Sequence, residues 1–242
     1  PSAGAPAAVE VTVAGLTPSV AELRYRPTGA TSFAVVSLAA GAGGTYGGAV
    51  PAAAMTIRGA EYYVFLSDGS RTVTVPAEAP ETHPARIRVA VPTVAAAVAF
   101  PAGGAYRMVT VPVDLADAGA VAVLADDYGP YDPSRWRLLR WRPAEGRYAE
   151  YPDLGTPLAP GVGVWLIADA GFDVDDGRSV DASAPAVLRL EPGWNQVGSP
   201  FAFPVAWASV TGAERLPPPA AWDGSQYALD VAVLEPWVGY FV

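Results

Sequence analysis

The chain has no cysteine and a single histidine, His83, in 242 residues. Stability must therefore come from burial and hydrogen bonding, without disulfides, which a chain of this length can achieve. A serine–histidine triad and a histidine-based zinc site would both have to use His83. That residue stands between Thr82 and Pro84, a setting that reads as a surface turn. Lysine is also absent, so all 15 basic residues are arginine against 24 acidic ones, for a net charge of −9. No basic stripe exists, and nucleic acid is excluded as a partner. Asn occurs only at Asn195. Absent lysine suits a GC-rich genome, and scarce Asn with abundant loop proline suits a thermophile. The longest apolar stretch, Val89–Phe100, is interrupted by Pro92 and followed by Pro101. It is too short to span a bilayer, and no membrane span is expected. Pro1-Ser2-Ala3-Gly4 has neither the basic start nor the apolar run of a signal peptide, so the chain reads as a mature or excised portion of something longer.

What is present is apolar and punctuated. Hydrophobic residues make up 51% and charged residues only 16%, with 25 Gly and 25 Pro distributed throughout. That is core material for one large or two smaller β domains of short strands joined by turns. Residues 6–90 alternate with period two in Val9–Val13 and Ala21–Arg26, and Ser32–Leu38, Glu61–Leu66 and Arg71–Val75 read as further strands. Ala49-Val50-Pro51 and Arg86–Val89 add two further segments, and Ser67-Asp68-Gly69-Ser70 is a turn. Seven short strands at this spacing predict a sandwich over residues 1–92. Tyr25-Arg26-Pro27 with Gly29, Phe33, Tyr46, Val50-Pro51, Gly59-Ala60-Glu61-Tyr62-Tyr63 and Asp68-Gly69 resembles a fibronectin type III or immunoglobulin-like module of bacterial secreted proteins.

Residues 93–242 contain one pattern twice, in copies of about 105–170 and 187–242. Each copy runs from a strand ending in proline (Val-Thr-Val-Pro112; Val197-Gly198-Ser199-Pro200), through a Trp–Tyr pair (Trp141 and Tyr148; Trp222 and Tyr227), to a Gly-containing strand (Pro160-Gly161-Val162-Gly163-Val164-Trp165; Pro236-Trp237-Val238-Gly239-Tyr240-Phe241). A duplication of this kind predicts a scaffold or a binding face. Asp117–Asp127 reads as a short helix capped by Asp117 and stopped by Gly129-Pro130, with Pro204–Val210 as its counterpart. Trp136–Trp141, Tyr148–Tyr151, Gly163–Ile167 and Val187–Leu190 read as strands, with a turn at 144–147. The fold class expected is all-β: an immunoglobulin-like β-sandwich followed by a larger β domain built from two related halves.

Tyr106-Arg107-Met108-Val109, Gly129-Pro130-Tyr131-Asp132-Pro133, Trp136-Arg137-Leu138, Pro192–Gly198 and Pro200-Phe201 make this second part similar to a tandem domain of large modular surface proteins from Bacteroidota- and Rhodothermota-like bacteria. The resemblance implies a secreted or cell-surface location and modularity, and no chemistry.

For function, residues kept in both copies are expected to be core anchors, since both copies must fold. The unmatched aromatics Tyr131, Trp136, Tyr151 and Trp237, with Arg137, are then the candidate ligand- or partner-binding residues. Exposed rings of this kind stack on sugar faces. Asp173-Val174-Asp175-Asp176-Gly177-Arg178-Ser179-Val180-Asp181 offers alternating oxygens at 173, 175, 179 and 181 for Ca²⁺. It lacks the sixth-position Gly and twelfth-position Glu of an EF-hand loop, and an acidic turn with Gly177 at positive φ is the simpler reading. No other cofactor is expected. Glycosidase carboxylates such as Glu145, Glu150 and Asp153 are present without a reason to pair them. The expected function is a non-enzymatic structural or adhesive module, a fibre or surface-layer subunit included. It would contact other subunits or its own copies through strand edges, Val238–Val242 above all. A carbohydrate-binding module is the alternative, and a carboxylate-based glycosidase or lyase a more distant one.

Overall fold

In the computed structural model, which describes residues 1–100 and 105–242, the chain is all-β and of sandwich type, with one α-helix among the described residues. Pro101, which closes the apolar stretch, lies outside the described residues. Two compact units form: Pro1–Ala90 with Asp181–Ala184, and Val91–Val180 with Pro185–Val242. No described helix is long and apolar enough to cross a membrane.

The first unit contains β1 (Ala7–Thr12), β2 (Val20–Pro27), β3 (Ala34–Ser37), β4 (Ala39–Ala40), β5 (Thr45–Val50), β6 (Ala60–Ser67), β7 (Thr72–Val75) and β8 (Ala85–Ile87). They divide into one sheet ordered β1-β5-β4 and another ordered β3-β2-β6-β7, with β8 also on β6. Period-two alternation drives Val9, Leu23, Val50, Val64 and Leu66 into one core. On the opposite face of β2, Arg24 lies 4.3 Å over the Phe65 ring and Arg26 lies 4.2 Å over Phe33. Arg26 also pairs with the buried Glu61 at 2.6 Å. The Gly-rich stretch at 41–48 is half strand, because β5 begins at Thr45 and pairs with β1. The turn at 67–70 is an Asx turn: Asp68 Oδ1 accepts the N–H groups of Ser70 and Arg71 at 2.9 and 2.7 Å.

The second unit continues with β9 (Ala90–Ala95), β10 (Ala105–Val109), β11 (Val113–Leu115), α1 (Ala120–Tyr128), β12 (Arg137–Arg142), β13 (Arg147–Glu150), β14 (Val164–Ala168), β15 (Asp173–Ser179), β16 (Gln196–Gly198), β17 (Val205–Ala206), β18 (Ala221–Trp222), β19 (Tyr227–Ala228), β20 (Val233–Leu234) and β21 (Gly239–Phe241). The expected helix forms but starts later than its sequence signal. Asp117 Oδ1 accepts the Gly119 N–H at 2.8 Å, making a turn before the helix instead of capping it, and Gly129 ends it with φ 78°. Its supposed counterpart is β17 followed by a 3-10 turn over Trp207–Ser209. Val187–Leu190 is not a strand, and both Val187 and Leu190 are exposed.

The two copies make matching strand pairings, β10 with β14 and β16 with β21. The sheet β10-β14-β12-β13 places Leu139 of the Trp–Tyr hairpin opposite Trp165. In the second copy β16 pairs with β21, and Ala220, just before β18, sits opposite Phe241. Each hairpin puts its Trp directly across from its Tyr, Trp141↔Tyr148 and Trp222↔Tyr227. The halves interlock reciprocally. Val109 of the first bridges Val238 of the second, and Val197 of the second bridges Val162 of the first. Thr110 N donates to Trp237 O at 3.0 Å, and Gly198 N donates to Gly161 O at 3.1 Å. Contacts exchanged in this way define an approximate two-fold relation.

That interlock explains the glycines shared by both copies. A Cβ on Gly163 would stand 2.6 Å from Val197 O, and one on Gly239 would stand 2.7 Å from Met108 Cγ and 3.0 Å from Met108 C. The strand of one half crosses too close to the other for any side chain there.

Trp237, which replaces Gly161 of the first copy, keeps the glycine's backbone conformation, with φ 71° against 84°. The left-handed residue costs roughly 1–2 kcal/mol. Burial of the indole edge-on to Phe172, 6.3 Å between ring centroids, offsets that cost.

β21 also corrects the expectation of an open strand at Val238–Val242. Gln196, Val197 and Gly198 line one edge. On the other edge Ala220 and Phe241 exchange both backbone hydrogen bonds at 2.9 Å. Asn195 and Val242 exchange two more, at 2.9 and 3.1 Å. The strand expected to await a neighbour is paired on both sides by its own chain.

Candidate functional site

The aromatic residues follow the sequence expectation only in part: the matched Trp165 is buried, but the matched tyrosines and the unmatched tryptophans are reversed. Trp136 is 1% exposed and Trp237 5%, whereas the matched Tyr148 and Tyr227 are 41% and 43% exposed. Strand alternation is the reason. On β12, Leu138 faces the core with the Ala149 of β13, which sends Leu139, Trp141 and Tyr148 to the other face. The duplicated hairpin of β18 and β19 does the same with Ala220, Trp222 and Tyr227.

These matched residues build two adjoining grooves. One is lined by Trp141, Tyr148, Trp194, Ala220, Tyr227, Leu229 and Phe241, with a volume of about 360 Å³. The other is lined by Tyr106, Leu139, Tyr148, Trp165, Trp222 and Tyr227, with a volume of about 330 Å³. Six positions of the first groove map one by one onto the second. Trp141 corresponds to Trp222, Tyr148 to Tyr227, Tyr227 to Tyr148, Phe241 to Trp165 and Ala220 to Leu139. Trp194 corresponds to Tyr106, each lying six residues before its copy's Pro200 or Pro112. Only Leu229 has no counterpart in the other lining.

Ring geometry repeats as closely as the composition. Trp141 and Tyr148 pack edge to face with centroids 5.1 Å apart and planes at 64°. Trp222 and Tyr227 give 5.1 Å and 65°. Tyr106–Trp165 and Trp194–Phe241 are the matching outer pairs, at 6.4 and 6.2 Å. Trp194 and Tyr106, 55% and 53% exposed, stand at the rims. The Nε1 atoms of Trp141 and Trp222 are both buried without a hydrogen-bond partner, while Trp165 Nε1 donates to the Tyr148 hydroxyl at 3.2 Å. Burial, then the neighbouring Tyr148, pushes the Tyr227 hydroxyl above its ordinary pKa. No charged side chain lines either groove. Tyr148 also borders a third, polar groove with Arg142, Arg147, Glu150, Tyr151 and Asp153.

The residues singled out by sequence lie elsewhere. Tyr131, Trp136 and Tyr151 form one packed cluster, with Tyr131 4.9 Å from Trp136 and 4.8 Å from Tyr151. Arg137 joins it at the surface. Its Nε and Nη2 donate to Glu150 Oε1 and Oε2 at 2.6 and 2.7 Å, and the Tyr131 hydroxyl donates to Oε1 at 3.3 Å. Trp136, Tyr128 and Tyr151 make this a packing cluster. Trp237 is core, as described above. No stacking surface is left on either tryptophan.

The Arg137 hydrogen bonds hold the Glu150 carboxyl below its ordinary pKa, which lowers the proton uptake of the folded state. A depressed carboxylate stabilises the fold above the unfolded value of about 4.3 and loses that contribution as pH falls through the folded value. Glu150→Gln is therefore expected to cost no more than about 1 kcal/mol at pH 7. It should also flatten the dependence of the urea midpoint on pH below about 5. Equal steepness in the variant and the parent from pH 5 to pH 3 would refute this assignment.

The acidic segment is corrected as well. Residues 173–179 are strand β15, not a turn, and positive φ falls on Asp176 (52°) while Gly177 packs against Val113. Asp181 belongs to the first unit, pairing with Arg86 at 3.1 Å and accepting from Ser183. Asp175 accepts from the Thr93 hydroxyl. Asp173 instead joins Asp126 and Asp127, their carboxylate oxygens within 4.8 Å of one another. Burial first, then the Asp173, Asp126 and Asp175 charges, pushes Asp127 up, partly offset by the Asp173 N–H. The Ca²⁺ set Asp173, Asp175 and Asp181 is thus not assembled. His83 is exposed, its Nδ1 3.1 Å from the Thr82 hydroxyl.

Comparison with protein-family models, with curated proteins and with solved structures finds no match for this chain.

Proposed function

We propose that the chain is a non-enzymatic binding module of a secreted or cell-surface protein, and that the twin aromatic grooves are its contact face. The observation that carries this reading is the outward turn of residues repeated in both copies. Packing alone does not require Tyr148, Tyr227, Tyr106 and Trp194 to be large, aromatic and exposed together. Such a contiguous apolar surface marks an interaction site. Two features argue against catalysis. Glu150 is forked by Arg137, and Glu145 lies between Arg142 and Arg147 at 2.9 and 2.5 Å. Both carboxyls are held below their ordinary pKa, Glu145 chiefly by the Arg142 hydrogen bond, the reverse of what a general acid needs. Assembly through Val238–Val242 has lost its free strand edge, so adhesion passes to the grooves.

Adsorption of the purified chain to immobilised polysaccharides and surface-coated proteins tests the reading. Tyr148→Ala with Tyr227→Ala is expected to reduce retention about tenfold or more, since each exposed ring contributes on the order of 1 kcal/mol of stacking. Retention undiminished in the double variant would sink it.

A further inference from the structure

We infer that the twin grooves take an uncharged linear polysaccharide of equatorially substituted, β-1,4-linked pyranose units, one stretch of chain spanning both grooves. This inference rests on the grooves being the contact face and goes on to name the ligand.

A repeated site calls for a repeated ligand. The grooves match at six positions, have nearly the same volume, and share Tyr148 and Tyr227 as a common wall. Two copies of one chemical unit held next to each other fill them, and a homopolymer supplies such units. At about 360 and 330 Å³ each lies at the small end of ligand pockets. That scale fits a sugar residue or two better than a protein anchor surrounded by its own rim.

Charge narrows the class. The linings hold no charged side chain, and the protein carries −9 overall. An anionic polymer would meet a repulsive field and no counter-charge in the grooves, and a polycation would have to give up its hydration there without an ion pair. Ring faces suit the apolar C–H faces of a neutral pyranose, and Tyr106, Tyr148 and Tyr227 in the linings carry hydroxyls able to bond its hydroxyls. Equatorial substitution leaves both faces of the sugar flat. The two-fold relation reverses one groove with respect to the other, and stacking tolerates that reversal because it does not read chain direction. Beyond Tyr148 the polar groove of Arg142, Arg147, Glu150 and Asp153 offers donors and acceptors to the hydroxyls of the next units.

Isothermal titration of the whole chain with cellotriose and cellohexaose tests the inference, with chitohexaose and xylohexaose as further probes of the same class. Cellotriose is expected to bind at two per chain. Cellohexaose should bind at one per chain and about a hundredfold tighter, because the second groove is then filled intramolecularly. Tyr148→Ala with Tyr227→Ala should abolish this gain in protein that still unfolds cooperatively, and Tyr227→Phe should retain stacking. Hexasaccharide binding that survives the double alanine variant overturns the inference. So does failure of all three hexasaccharides to bind folded protein. In that event, a concentration-dependent dimer dissolved by the double variant would keep the contact face and assign it to a second copy. The absence of both binding and self-association would remove the contact-face reading too.

Discussion

Gly163→Ala should lower the stability of the second unit by about 3 kcal/mol, at the upper end for an overpacked core. In a chain of this size that corresponds to a melting shift of about 10 °C. The added methyl would meet Val197 O, Val197 N and Gln196 C at 2.6, 2.8 and 3.0 Å, all backbone atoms with no rotamer to escape into. Gly239→Ala occupies the equivalent place and should cost less, since its nearest neighbour is the flexible Met108 Cγ. The double substitution pushes the two halves apart at both crossings and should leave the second unit without a cooperative transition. Differential scanning calorimetry reads this directly. A single-alanine melting point within a degree or two of the parent would show that the halves do not interlock as described.

Trp136→Ala should cost about 3–5 kcal/mol, as expected for truncating a buried aromatic. The indole is fully enclosed, touches Tyr128, Tyr131 and Tyr151, and donates from Nε1 to Gly129 O at 3.3 Å. The helix terminus would lose that acceptor contact and the rings would collapse on a cavity. Tyr227→Ala, by contrast, removes an exposed ring and should change stability by under about 1 kcal/mol. Chemical denaturation of the two variants separates the classes. A Trp136→Ala protein as stable as Tyr227→Ala would reinstate Trp136 as a surface ligand residue.

Much of the architecture can be read from residue order. Period-two alternation in Ala21–Arg26 specifies β2, and the aromatic and β-branched run Glu61–Leu66 specifies β6. Gly129 ends α1 because a left-handed residue is needed there. The repeat of Trp141, Tyr148 and Trp165 in Trp222, Tyr227 and Phe241 specifies two like halves. The site was also partly legible. Trp141 alternates with Arg140 and Leu138, so its face is opposite to Leu138, and one further inference (which face is core) would have found the groove. That step is missing from the sequence, because alternation divides residues into two sets without saying which set is buried. Leu139 and Leu138 are equally apolar, and only the tertiary burial of Leu138 decides between them.

The sequence by itself determined an all-β chain and its repeated aromatic pattern, since these depend on local backbone preference and on residue order. Tertiary structure alone decided how the copies face one another. The reciprocal crossing at Val109–Val238 and Val162–Val197 is a contact between residues far apart in the chain, and no local propensity encodes it. That crossing makes Gly163 and Gly239 obligatory and brings Tyr148 beside Tyr227. Repeated aromatics, which in one copy would be half-buried hairpin residues, thereby become the shared wall of two grooves.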